Sequence, residues 1–91
     1  MMGWREKTVP MTIARAKSLV PKALRLQYGK RFSRSTLRRS CHRRSSERVR
    51  CRVSWRKKRF RYAGAITLWN DVAAPGGYLY EPSIRRKRMR R

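Results

Sequence analysis

Twenty-seven lysines and arginines stand against four acids in a chain of 91 residues, a formal charge of +23 at pH 7. Self-repulsion on that scale opposes compaction. A chain this short also buries only about 60% of the surface it exposes when unfolded. Little independent core and no self-sufficient catalytic domain are therefore expected. Yet 40% of the residues are hydrophobic, with three Trp, four Tyr and two Phe. That is too much apolar surface for a polymer whose only task is to neutralise phosphate, so part of the chain is built to pack.

The charge calls for a polyanionic partner. Arg outnumbers Lys 20 to 7, and guanidinium grips phosphate bidentately, stacks on bases and is less strongly hydrated than ammonium. This bias fits a folded RNA better than a plane of lipid headgroups. No apolar run approaches the ~20 residues of a membrane span, and no membrane partner is expected.

The charge is unevenly laid out. Residues 1–33 hold 8 basic residues, 34–62 hold 13, 63–84 hold none and 85–91 hold 6. The window free of positive charge, which holds Asp71 and Glu81, suggests a surface turned toward a neighbouring protein or toward the chain's own core, with the flanks turned toward nucleic acid.

Residues 12–28 carry apolar positions near helical spacing, interrupted by Pro21. Proline removes a backbone donor and disfavours helix in the residue before it, which predicts a short helix near 21–28, capped by Ser18 or Val20 and closed by Gly29. The same stretch has the basic, amphipathic character of a mitochondrial transit peptide. Residues 33–46, rich in Arg and Ser, should repel one another and stay disordered until RNA is present, with Ser33 as a possible cap and Leu37 and Cys41 at helical spacing.

Period-two alternation follows. Val49, Cys51, Val53 and Trp55 fall on one face of a strand and Arg48, Arg50, Arg52 and Ser54 on the other. It resumes at Phe60, Tyr62, Gly64, Ile66 and Leu68, opposed by Arg61, Ala63, Ala65, Thr67 and Trp69. With Arg56-Lys57-Lys58 as connector, this predicts a hairpin. Trp55, Phe60 and Ile66 read as core rather than as base-stacking groups. Ala74-Pro75-Gly76-Gly77 suits a type II turn, from which Tyr78-Leu79-Tyr80 returns as a third strand.

Cys41 and Cys51 are expected to be reduced and inert, because no signal-peptide apolar region precedes them. A disulfide and a zinc site on Cys41, His42 and Cys51 are the alternatives; the latter lacks the fourth ligand of a closed structural centre. No acid–base constellation can be assembled from one His and four scattered acids. The expectation is no enzyme, no cofactor and no metal.

The stretch Leu79-Tyr80-Glu81-Pro82-Ser83-Ile84-Arg85-Arg86-Lys87-Arg88 resembles the opening of the ribosomal large-subunit protein thirty-four family, which reads aromatic-Gln-Pro-Ser and then a basic run. Tyr80, Pro82, Ser83 and Arg86-Lys87-Arg88 carry the likeness. The family's His-Gly-Phe and basic helical hairpin have no counterpart before Arg91.

Together these readings predict mostly irregular extended arms with a short N-terminal helix and a small antiparallel β hairpin or three-stranded element. Residues 1–46 would be a basic arm, 47–80 the β element and 81–91 a basic tail. The expected function is a structural constituent of a ribosome, organellar and most simply mitochondrial, with chloroplast or cytosolic ribosomes as alternatives. It would clamp rRNA through Arg34, Arg38, Arg39, Arg43, Arg44, Arg48, Arg50, Arg52, Arg56, Lys57, Lys58, Arg59, Arg61, Arg85, Arg86, Lys87, Arg88, Arg90 and Arg91. Neighbouring ribosomal proteins would dock on residues 63–84, without homo-oligomerisation. A DNA-condensing or viral core protein and a membrane-active cationic peptide are the alternatives from other classes.

Overall fold

The computed structural model describes residues 10–89. Its strands are Arg38–Arg43 (β1), Arg48–Lys57 (β2), Phe60–Asn70 (β3) and Tyr78–Arg88 (β4), preceded by a helix, Ile13–Tyr28 (α1). The strands form one antiparallel sheet in the order β1-β2-β3-β4. The expectation of irregular arms around a two- or three-stranded element is thus overturned: segments on both sides of the predicted hairpin belong to the same sheet.

The central hairpin follows the alternation in the sequence. Val49, Cys51, Val53 and Trp55 of β2 and Tyr62, Ile66 and Leu68 of β3 are buried on one face, under α1. The turn falls at Lys58-Arg59, just past the Lys57–Phe60 pair, with Lys58 held at φ 55°. After β3, Gly76 at φ 78°, ψ −2° and the Gly77 N–H donating to the Ala74 carbonyl (2.9 Å) make the expected type II turn.

The helix is twice as long as expected because packing overrides local propensity. Thr12, and not Ser18 or Val20, is the N-cap, its hydroxyl accepting from the Arg15 N–H at 3.0 Å. Pro21 lies inside the helix, where it costs ~3 kcal/mol relative to Ala. Ala16, Leu19, Val20, Ala23 and Leu24 are all buried against the sheet, and each large aliphatic among them recovers about 1.5–3 kcal/mol. Their burial offsets the proline. The stretch that resembles a transit peptide is, in this fold, one half of the core.

Trp55 closes the far end of the seam. It is 1% exposed, its indole N–H donates to the Arg31 carbonyl at 2.7 Å, and its ring stacks on Tyr62 with centroids 4.8 Å apart. Tyr28 and Phe32 meet it edge-on at 5.3 and 5.4 Å. Burial, reinforced by Tyr62 and Tyr80, raises the pKa of the Tyr28 hydroxyl above the usual 10.0. Burial and then Tyr80 do the same for Tyr78, against a smaller opposing effect of Arg15.

Two further expectations are corrected at the sheet edges. Within residues 33–46, Arg38–Arg43 is a strand paired with β2, and Cys41, directly opposite Cys51, is joined to it by a disulfide with Cα atoms 3.9 Å apart. The thiols are not free. Within 81–91, residues 81–88 continue β4 rather than leaving the sheet as a tail. Pro82 is tolerated there because β4 is an edge strand, which needs backbone donors on one side only.

Gly64 lets β4 approach β3. A Cβ at this position would overlap the carbonyl oxygen of Ser83 and come within 2.8 Å of the Ile84 Cα. Because the obstruction is backbone, the two strands would have to separate. Gly64→Ala is expected to lower the unfolding free energy by about 1–3 kcal/mol, measured by urea denaturation; a neutral or stabilising effect would contradict this strand spacing.

Candidate nucleic-acid interface

The face of the sheet opposite α1 carries a different set of side chains. Direct cross-strand pairs project to the same side, so the register defines this face. Along β2 it shows Arg48, Arg50, Arg52, Ser54 and Arg56; along β3, Trp69, Thr67, Ala65, Ala63 and Arg61 opposite them. Beyond β3 come Leu79, Glu81, Ser83, Arg85 and Lys87 of β4, and beyond β2 come His42, Ser40 and Arg38 of β1. Among the described residues no helix covers this face.

All of the Arg and Lys side chains on this face are exposed, because their alternation with buried apolar residues leaves them no other side. Between them lies a floor of small residues. Ala65 belongs to this face yet is only 6% exposed. Beside it, His42, Arg50, Arg52, Ala65 and Ser83 line a shallow depression of about 580 Å³. At one end the Arg48 guanidinium lies 4.3 Å from the centroid of the Trp69 ring, a cation–π contact worth about 0.5–1 kcal/mol at an exposed site. Leu79, 39% exposed, is opposite Trp69.

The predicted contact residues separate into groups. Arg38, Arg48, Arg50, Arg52, Arg56, Arg61, Arg85 and Lys87 share the open face. Lys58 and Arg59 form the β2–β3 turn, and Arg34 and Arg44 lie in loops. Arg39, Arg43, Lys57, Arg86 and Arg88 point to the helix side. Two of these have structural partners: Arg43 donates to the carbonyls of Met11 (2.6 Å), Ser45 and Ser46 (both 3.2 Å), and Arg86 stacks over Phe60 at 4.5 Å. The Nε of Arg39 is buried with no hydrogen-bond partner. Arg90 and Arg91 lie outside the described residues.

The zinc alternative is not supported by this arrangement. Cys41 and Cys51 are consumed by their bridge on the helix side, and His42 projects to the open face. Among the described residues no group of three or more His, Cys, Asp or Glu could hold a metal ion, and no helix is long and apolar enough to cross a membrane.

Trp69 is the residue of this face that the expected contact set omits. The signal was present, since it shares the parity of Arg61, but nothing local distinguishes it from a core tryptophan. Within the window 63–84 that lacks basic residues, Ala65, Ile66, Leu68 and Tyr78 are buried in the chain's own packing, while Val72 and Leu79 are exposed.

Compared with protein-family models, curated proteins and solved structures, the chain matches none.

So many exposed cations on one face repel each other across about 5–7 Å, well inside the ~30 Å Debye length at 0.01 M salt and beyond the ~3 Å length at 1 M. The melting temperature of the isolated chain should therefore rise with added sodium chloride. In an Arg50→Gln/Arg52→Gln variant the low-salt melting temperature should rise and the salt dependence shrink. A melting temperature that falls with salt in both proteins would show that the repulsion is not significant.

Proposed function

We propose that this chain is a non-catalytic RNA-binding protein that holds sugar-phosphate backbone on the open face of its sheet, as a structural constituent of a ribosome, organellar in the simplest case. One observation carries the reading: the two-residue repeat collects Arg48, Arg50, Arg52, Arg56 and Arg61 on a single uncovered surface. Phosphate contacts of this kind fix position and orientation without reading sequence. The preference for Arg over Lys and the half-buried Trp69 on this face favour RNA, whose loops and bulges offer unstacked bases as well as phosphates. The composition of the flanks and the likeness of residues 79–88 to a ribosomal family support the ribosome as the particle.

The salt dependence of binding tests the reading. Each phosphate contact contributes about −0.7 to the slope of log K against log salt on a single strand and about −0.9 on a duplex. Substituting Arg50, Arg52 and Arg56 by Gln should reduce the slope on a fluorescent RNA by about 2–3, while Lys17→Gln and Lys22→Gln on the exposed side of α1 should alter it by less than about 1. Equal losses from both sets would remove the open face from the reading. Comigration of the tagged chain with a ribosomal subunit through a gradient at moderate salt tests the particle; recovery with DNA or with membranes instead would reject it.

The Cys41–Cys51 bridge favours a second reading. Disulfides persist in oxidising compartments and are rare where glutathione and thioredoxin act, so the same cationic face would then serve an acidic polymer outside the reducing interior. Alkylation of the chain directly on cell lysis separates the two. Two alkylated thiols support the ribosomal reading, and a chain resistant to alkylation until reduced supports the second.

A further inference from the structure

The open face is more selective in shape than a cationic plate. Along β2 the arginines recur every second residue, a step of about 6.8 Å. One nucleotide repeat, P–O5′–C5′–C4′–C3′–O3′, contains the same number of backbone bonds as two amino-acid residues. An extended nucleic-acid strand laid along β2 therefore presents phosphates in near register with Arg48, Arg50, Arg52 and Arg56, with the Ser54 hydroxyl at the intervening step.

The ground beside this row is shaped for the rest of the strand. Ala63, Ala65 and Thr67 of β3 are small and form a smooth floor. On the far side stand Ser83, Arg85 and Lys87 of β4, two strand spacings or about 10 Å from the arginine row. A strip that narrow between the two rows seats one backbone with its bases lying flat and is narrower than a duplex. Glu81, the acid this face carries among the described residues, stands opposite Thr67 on the side away from the β2 arginines, and near that end it repels phosphate toward β2. Trp69 ends the floor, with Arg48 at 4.3 Å holding one ring face and Leu79 beside it.

We infer that the open face is a site for a single-stranded RNA segment of about five nucleotides, running along β2 with its phosphates on Arg48, Arg50, Arg52 and Arg56 and its end base against Trp69. The inference rests on the proposed RNA-binding function and adds the strandedness, path and polar side of the ligand. Stacking on Trp69 is sequence-tolerant, because every base has a flat face.

Fluorescence anisotropy of the full, oxidised chain tests this with two labelled probes: an unstructured RNA of mixed sequence and a hairpin of the same length. The unstructured RNA should bind roughly tenfold more tightly at moderate salt. Trp69→Leu, which keeps bulk and removes the aromatic face, should weaken that probe at least about fivefold and leave the hairpin unchanged. Trp69→Phe should restore the affinity, and circular dichroism confirms that both variants fold. If Trp69→Leu fails to fold, Arg50→Gln/Arg52→Gln takes its place and should erase the preference for the unstructured probe. Equal affinity for the two probes, or a preference that survives Trp69→Leu or its substitute, would overturn the inference and leave the RNA-binding function standing. Absence of binding to either probe at moderate salt would overturn both.

Discussion

A polypeptide with this much positive charge can fold alone only if it keeps nearly every cation wet while it hides its apolar groups. The strict two-residue repeat of β2 meets both conditions at once. Its apolar members point under α1 and its arginines point the other way, so no guanidinium on this strand has to be desolvated. Register then extends the division across the sheet, because directly paired residues project to the same side. The cationic face is a consequence of how the core is made.

The core itself is thin, one helix on one face of four strands, and it depends on aromatic packing more than on volume. Trp55 touches Tyr28, Phe32 and Tyr62 and satisfies its own N–H on the Arg31 carbonyl. That contact ties the segment after α1 to the middle of the sheet. The Cys41–Cys51 bridge does the same for the β1 edge, an arginine-rich strand held besides by its pairing with β2 and by the Arg43 side chain on the Met11 carbonyl. On the helix side of the edge strands Arg43 finds carbonyls and Arg86 a ring, while Arg39 keeps a buried Nε without a hydrogen-bond partner. Long stems with charged ends suit that position.

The legible parts of the fold were those in which a short-range pattern carries the information. Alternation identified β2, β3 and their facing sides, and the Pro-Gly pair identified the turn before β4. The remainder was obscured because local preferences and tertiary packing disagree. Pro21 argues locally for a break, yet α1 runs through it because its neighbours are buried. Residues 38–43 argue locally for disorder, since RRSCHR offers one apolar side chain in six; they form a strand because β2 supplies a template and Cys51 a covalent partner. Pro82 argues for an exit from the sheet and is accommodated at its edge. Of the candidate site, the arginines of β2 were visible from spacing, but Trp69 joins them only through β2–β3 register, and Leu79, Arg85 and Lys87 only through β3–β4 pairing.

What the sequence determined by itself is the sign and density of the chain's own charge and the two-sided character of the central hairpin, because composition and period-two spacing are properties of the chain that no neighbour can change. Tertiary structure alone decided which cations share a surface and which are spent on internal carbonyls, and it decided that the two cysteines meet. Those outcomes depend on register between segments far apart along the chain, and register is set by the shared burial of a seam that no single segment contains.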